Sequence, residues 1–209
     1  DNTEDIQKEE KRMAYAYGVH DLETPIQDSL GEAILHGIVV SNLAYFVGKE
    51  MDLPEEKCHN LAVAGMVHDI GKLRLRSYVY EEKGAQLNID ELRYVRLHPT
   101  LGYAILKEHG YEEEVLTAVL YHHENVDGSG YPNNLKNEDI PLGARILRVC
   151  DAFGALIANR AYRSAFDIET ALSIMIEEIK NFDMRVFLAF QKVSQSSDMK
   201  EMLASLGIQ

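Results

Sequence analysis

Apolar residues recur at helical spacing along almost the whole chain, and this period is the tightest limit on what it can fold into. Leu30, Ile34, Leu35, Ile38, Val39, Leu43, Phe46 and Val47 keep to one helical face as far as Lys49. Ahead of them, Thr24-Pro25-Ile26-Gln27 supplies an N-cap, a proline at the first helical position and a capping-box Gln. The same spacing predicts a helix from Pro54 to His68, one from near Asp90 that Pro99 interrupts, and one carrying Ala104 to Glu108. It predicts others over Glu112 to His122, Leu142 to about Asn159, Asp167 (as cap) to Ile179, Phe182 to Val193, and Asp198 to Leu206. Strand signals are weak; only Arg74 to Tyr80 alternates. The expected fold is therefore all-α. One long stretch departs from it. Glu124 to Pro141 holds Gly128, Gly130, Pro132 and a cluster of Asn and Asp, a composition that admits no regular element.

Composition narrows the function classes. The net charge is −13 over 209 residues. An acidic chain is a poor binder of nucleic-acid polymers, which are held through Lys and Arg on phosphates. An anionic ligand would need metal ions or local cations to offset the general repulsion. Two cysteines, Cys58 and Cys150, are too few for a disulfide framework and are expected as buried free thiols in a reducing cytoplasm. No apolar run approaches the ~20 residues of a membrane span. The first ten residues are polar and acidic, with no signal-peptide pattern, and the lack of an initiator Met suggests a piece of a longer chain.

Histidine is the informative residue. Of eight, five fall in short motifs: His36, His68, His98, His122 and His123; His20, His59 and His109 read as surface or helix-end residues. Glu32 and His36 stand one turn apart on a helix face. His68-Asp69 closes a helix and runs into Gly71-Lys72; His98 precedes Pro99; His122-His123-Glu124 leads into the glycine loop. Asp151 sits among Val149, Cys150, Ala152 and Phe153, where a carboxylate needs a partner. Singly, each has an ordinary reading as a helix terminus or an exposed pair. Together they are imidazole and carboxylate donors of the kind that suit iron, manganese, cobalt or zinc. They are too many for one ion. Two ions ~3.5–4 Å apart can clamp a phosphate and acidify a water.

The order of motifs resembles the HD-GYP family, a branch of the HD superfamily of metal-dependent phosphohydrolases. The matching residues are His68-Asp69-Ile70-Gly71-Lys72, His98-Pro99, and His122-His123-Glu124-Asn125-Val126-Asp127-Gly128-Ser129-Gly130-Tyr131-Pro132. Val149 to Phe153 and Asn159 to Arg163 follow. The resemblance covers Ile26 to Phe187, and it implies an HD-domain helical bundle with an extended GYP loop. Residues 1–24 are expected as an N-terminal extension or leading helix, 25–195 as the catalytic domain and 196–209 as a C-terminal helix.

The implied activity is hydrolysis of cyclic di-GMP, to the linear dinucleotide or to GMP, in bacterial second-messenger signalling. The implied ligands are His36, His68, Asp69, His98, His122, His123 and Asp151, with Glu32 matching the position that holds a third ion. Two or three divalent ions, iron or manganese, are expected. Asp69 and Lys72 would be catalytic. Lys72, Gly130, Tyr131, Pro132, Arg160 and Arg163 would meet substrate, with dimer or signalling-protein contacts as further partners.

The chain departs from the pattern at its flanks. Gly37, Ile38 and Val39 follow the first His where a small polar and a basic residue are frequent. Asn125 replaces a common Arg, Glu82-Lys83-Gly84 a frequent Lys-Pro-Gly, and Leu73 to Leu97 is loosely family-like. These changes leave substrate preference open. The alternatives are a catalytically silent cyclic-dinucleotide receptor, a phosphodiesterase for a mixed cyclic GMP–AMP, and an HD-type enzyme for mononucleotides.

Overall fold

The computed structural model describes residues 30–79, 95–159 and 164–208, the last few of the first stretch by backbone alone. Among the described residues the elements are helical, with no strand. They are α1 (Leu30–Glu50), α2 (Glu55–Val67), α3 (Ile70–Val79), α4 (His98–Glu108), α5 (Glu113–Tyr121), α6 (Leu142–Leu156), α7 (Ile168–Glu177), α8 (Met184–Ser194) and α9 (Ser197–Ser205). Short 3₁₀ turns lie at Asn137–Asp139 and Ile179–Asn181.

Helix α6 is the axis of the bundle. Twelve of its residues are buried, among them Ile146, Leu147, Val149, Phe153 and Leu156. Helices α1, α5, α7 and α8 pack around it. Helix α1 contributes Val39, Val40, Leu43, Ala44 and Val47, and α8 brings Phe187 and Phe190. The Phe153 and Phe190 rings meet edge to face at 5.1 Å. Met199 and Leu203 of α9 join the same core, so the C-terminal helix packs into the bundle.

The expected irregular stretch has that form apart from one 3₁₀ turn, and Asp167 caps α7 by accepting from the Thr170 amide. Three expectations change. Arg74 to Val79, expected to alternate, lie in α3, where Leu75 is buried, and Tyr80 lies outside the described residues. Pro99 sits in the first turn of α4, where its missing N–H costs nothing, so it opens a helix. By length and composition α1 would suffice to cross a membrane. Here it is a core helix, with one face packed on α2, α6 and α8. The cap expected at Thr24 and the helix start expected near Asp90 lie outside the described residues.

Two glycines set the site's frame. A Cβ on Gly71 would stand 1.9 Å from the His98 carbonyl oxygen, so only glycine lets α3 come this close to α4. That contact holds His68-Asp69 beside His98. A Cβ on Gly130 would stand 2.3 Å from the Asn125 nitrogen and 2.4 Å from the His123 oxygen. The loop therefore folds back tightly on the His-His-Glu segment.

Candidate metal centre

Helix ends deliver most of the donors. His68 is the residue after α2 and His122 the residue after α5, each at the C-cap. Helix C-termini carry partial negative charge, which favours a cation nearby. His98 opens α4, His36 comes from within α1, and Asp151 from within α6.

Three imidazoles are oriented in the same way. The Nδ1 of His68 bonds the Gly65 carbonyl at 2.8 Å, that of His98 the Val95 carbonyl at 2.7 Å, and that of His122 the Val119 carbonyl at 2.6 Å. A carbonyl only accepts, so Nδ1 carries the proton, and in the neutral ring Nε2 keeps its lone pair for another partner. The Nε2 atoms of His98 and His122 face each other at 3.3 Å. Two neutral acceptors do not attract. Two imidazole nitrogens on one ion, each at ~2.1 Å, stand roughly 3.0–3.4 Å apart.

The rest of the cluster is equally close. Asp69 Oδ1 is 3.3 Å from His98 Nε2, and Asp69 Oδ2 is 3.5 Å from His68 Nε2. Asp151 Oδ1 lies 2.9 Å from His36 Nε2 and 3.4 Å from His68 Nε2. His36 Nδ1, His68 Nε2, Asp69 Oδ1 and His123 Nε2 are buried without a hydrogen-bond partner. A bundle that leaves four such atoms unsatisfied in one place is built for a ligand that satisfies them. The donor set, imidazole and carboxylate without thiolate, fits divalent transition metals. Three groups of mutually close donors are present: His98, His122 and His123; His36, His68 and Asp69; His68, His122 and Asp151.

Electrostatics separate the histidines. Burial pulls His122 and His123 well below the usual imidazole range, helped by their histidine neighbours. They are neutral, the form a metal requires. His68 goes the other way. Burial works against its proton, yet the carboxylates of Asp69 and Asp151 lift it to about 9. Burial would raise Asp69, but Lys72, His68 and His98 hold its carboxyl well below the usual carboxylate range. Asp151 is likewise held low, with His36 and His68 outweighing burial.

The seven donors expected around the centre thus converge. Glu32, the eighth, is exposed one turn before His36 and belongs to none of the three groups. The Lys72 ammonium bonds Asp69 Oδ2 at 2.8 Å. Tyr131 stacks on the His123 ring, with centroids 4.9 Å apart and planes at 15°, and its peptide bond to Pro132 is cis. Arg160 and Arg163 lie outside the described residues.

Sequence reasoning missed the residues that hold the loop. Buried Glu124 accepts from the Asn133 amide at 2.6 Å and the Leu135 amide at 3.0 Å. Asn125 Oδ1 accepts from Nε of buried Arg148 at 2.8 Å, and that guanidinium lies over Phe182. Arg96 was also missed; its guanidinium carbon stands 5.3 Å over the Tyr131 ring. Glu124 could have been found as the carboxylate that directly follows two adjacent histidines. The arginine partners are set by tertiary contact alone.

Residues 7–186 match the family model described as HD domain. The chain is 33% identical over 159 residues to a protein of Pseudomonas aeruginosa named as a cyclic di-GMP phosphodiesterase, covering 76% of this chain and 38% of that protein. It is 33% identical over 162 residues to the 3'3'-cGAMP-specific phosphodiesterase 1 of Vibrio cholerae, covering 77% of this chain and 37% of that protein. The chain thus spans well under half the length of these relatives. A solved structure, described as an HDG"Y"P protein from Bdellovibrio bacteriovorus, superposes with a TM-score of 0.63 at 16% identity, over 87% of this chain and 59% of that one. By motif order, helical frame and family match, the chain belongs to the HD domain family, in its HD-GYP branch.

Proposed function

We propose that this chain is a metal-dependent phosphodiesterase acting on cyclic di-GMP. The observation that carries the reading is the convergence of seven imidazole and carboxylate donors with four of their atoms buried and unsatisfied. The names of the relatives, cyclic dinucleotide phosphodiesterases in bacteria, support the substrate class.

In this reading His36, His68, Asp69 and Asp151 would hold one divalent ion, and His98, His122 and His123 would hold a second. Glu32 is the candidate ligand for a third, and iron or manganese is the expected metal. Bound ions supply Lewis acidity toward phosphate oxygens and an acidified water. The chain's own groups do the rest. The Nδ1 bonds to Gly65, Val95 and Val119 fix the imidazoles so that the site needs little reorganisation. Lys72 steadies the Asp69 carboxylate and adds a point charge for a phosphate. Gly130, Tyr131 and Pro132 form the lip over His123, and Arg160 and Arg163 are assigned to substrate by resemblance. Residues 25–195 are the catalytic unit.

The test is chromatography of products after incubating metal-loaded protein with cyclic di-GMP, alongside metal analysis. Hydrolysis to the linear dinucleotide or GMP is expected, with both metal and activity lost in the His68→Ala/Asp69→Ala variant. Retained turnover in that variant would falsify the reading. Preferential hydrolysis of 3'3'-cGAMP would instead select the second reading, to which the Vibrio relative points.

A further inference from the structure

We infer that Glu124 is a positioning residue: through the loop it anchors, it keeps the Tyr131 ring stacked on His123 and so fixes the orientation in which His123 meets an ion. The inference rests on the metal-dependent reading of the centre and adds to it a residue that acts through another.

His123 is held unlike its neighbours. The Nδ1 atoms of His68, His98 and His122 each bond a backbone carbonyl. Among the described residues no such bond reaches the His123 ring, and its Nε2 is buried without a partner. A ligand nitrogen has to be aimed, and the bond at the far side of the ring is the usual means. At His123 a stacked ring stands in that role. Tyr131 lies on it with centroids 4.9 Å apart and planes at 15°.

Glu124 sets the place of Tyr131. Its carboxylate is buried and divides its oxygens between two amides, Oε1 accepting from Asn133 at 2.6 Å and Oε2 from Leu135 at 3.0 Å. Hydrogen bonds to a carboxylate are about twice as strong as neutral ones. Only Pro132 separates Asn133 from Tyr131, and a proline fixes its own φ, so the aromatic ring follows the anchored amide. On its other side Tyr131 donates its amide to the His123 carbonyl at 3.1 Å. His123 and Glu124 are consecutive. The turn that carries the ligand therefore also carries the anchor of the ring stacked on it. Burying a carboxylate is costly, and no cation pairs with Glu124 among the described residues. What the carboxylate gains is the grip on the loop.

The experiment titrates metal-free protein with Mn²⁺ by calorimetry, in wild type and in variants of the two residues. Glu124→Gln keeps the side-chain volume, but its NH₂ group would face a backbone N–H, so one of the two anchors is lost. Glu124→Gln and Tyr131→Ala are each expected to weaken one class of Mn²⁺ site, that of His98, His122 and His123, by roughly ten- to a hundredfold. Every other class should keep its wild-type affinity. Tyr131→Phe retains the stacked ring and should bind as wild type does. Because Glu124 acts through Tyr131, the Glu124→Gln/Tyr131→Ala double variant should lose no more than Tyr131→Ala alone. Wild-type affinity in Glu124→Gln would overturn the inference, and so would additive losses in the double variant. Equal weakening of all sites also overturns it, since the whole centre would then have loosened. Should Glu124→Gln not fold, Glu124→Asp, with both oxygens on a shorter stem, carries the same comparison. None of these readouts needs turnover. A wild type that binds Mn²⁺ and leaves cyclic di-GMP intact ends the phosphodiesterase reading, while the same variants still decide the role of Glu124. A wild type that takes up no Mn²⁺ overturns both.

Discussion

At His68 a proton and a metal ion compete for the same ring nitrogen. Its proton is held up to about 9 by Asp69 and Asp151, against the effect of burial. A raised imidazole pKa means that the metal-free chain keeps this proton at neutral pH. An ion binding there must displace it. Metal uptake at pH 7.5 is therefore expected to release about one proton per chain from this site, and apparent affinity should fall as pH drops below about 9. Calorimetry in buffers of different ionisation enthalpy measures this directly. A binding enthalpy independent of buffer would contradict it. His122 and His123, held neutral, contribute nothing to that release. At this scale the sequence was legible for identities, because His-Asp and His-His-Glu are short and self-announcing. It was silent on which histidine holds a proton, since that depends on Asp151, far along the chain and adjacent in space.

Elements position these residues through caps and close approaches. Asp183 is the N-cap of α8, accepting from the amides of Arg185 and Val186, and it also pairs with buried Arg145 of α6. One carboxylate thus fixes a helix start and neutralises an interior cation. Asp183→Ala removes the cap and leaves Arg145 uncompensated, at an expected cost of about 3–5 kcal/mol. Urea unfolding checks this, and Asp183→Asn should recover the capping part alone. The sequence reading found the cap at Asp167, where the acid directly precedes a clear apolar period. It started α8 at Phe182, because apolar Phe182 is continuous with the pattern and the second task of Asp183 lies across the bundle. Similarly, the sequence around Pro99 reads as a break, where the structure has a helix start. A proline at the first turn and one in the middle read alike when the preceding residues give no cap.

The whole molecule ties its stability to its centre. The core runs through α1, α6 and α8, and the donors come from α1, α6, the ends of α2 and α5 and the start of α4. Unfolding scatters the ligands, so an ion that binds the folded state stabilises all of it. At a hundredfold excess over Kd this is worth about 2.7 kcal/mol, and for a chain of this size each kcal/mol moves Tm by about 2–4 °C. Stripping the metal with a chelator is therefore expected to lower Tm by roughly 5–10 °C. An unmoved melting curve would place the ions outside the folded core. The all-helical architecture was legible because the apolar period persists through most elements. The loop's lacing to the bundle was not, because the bonds from Glu124 and Asn125 follow no period.

The tether between each imidazole and a carbonyl one turn back has a consequence for motion. The Nδ1 of His68 secures Gly65 in the last turn of α2, and the Nδ1 of His122 secures Val119 in the last turn of α5. Rotation of either ring and fraying of its helix end are the same event. Whatever occupies the centre therefore also clamps the ends of both helices, and its arrival should appear in hydrogen exchange as slowed amides in those last turns, with the exposed start of α1 unaffected. Backbone exchange then becomes a ligand sensor that needs no catalysis to read.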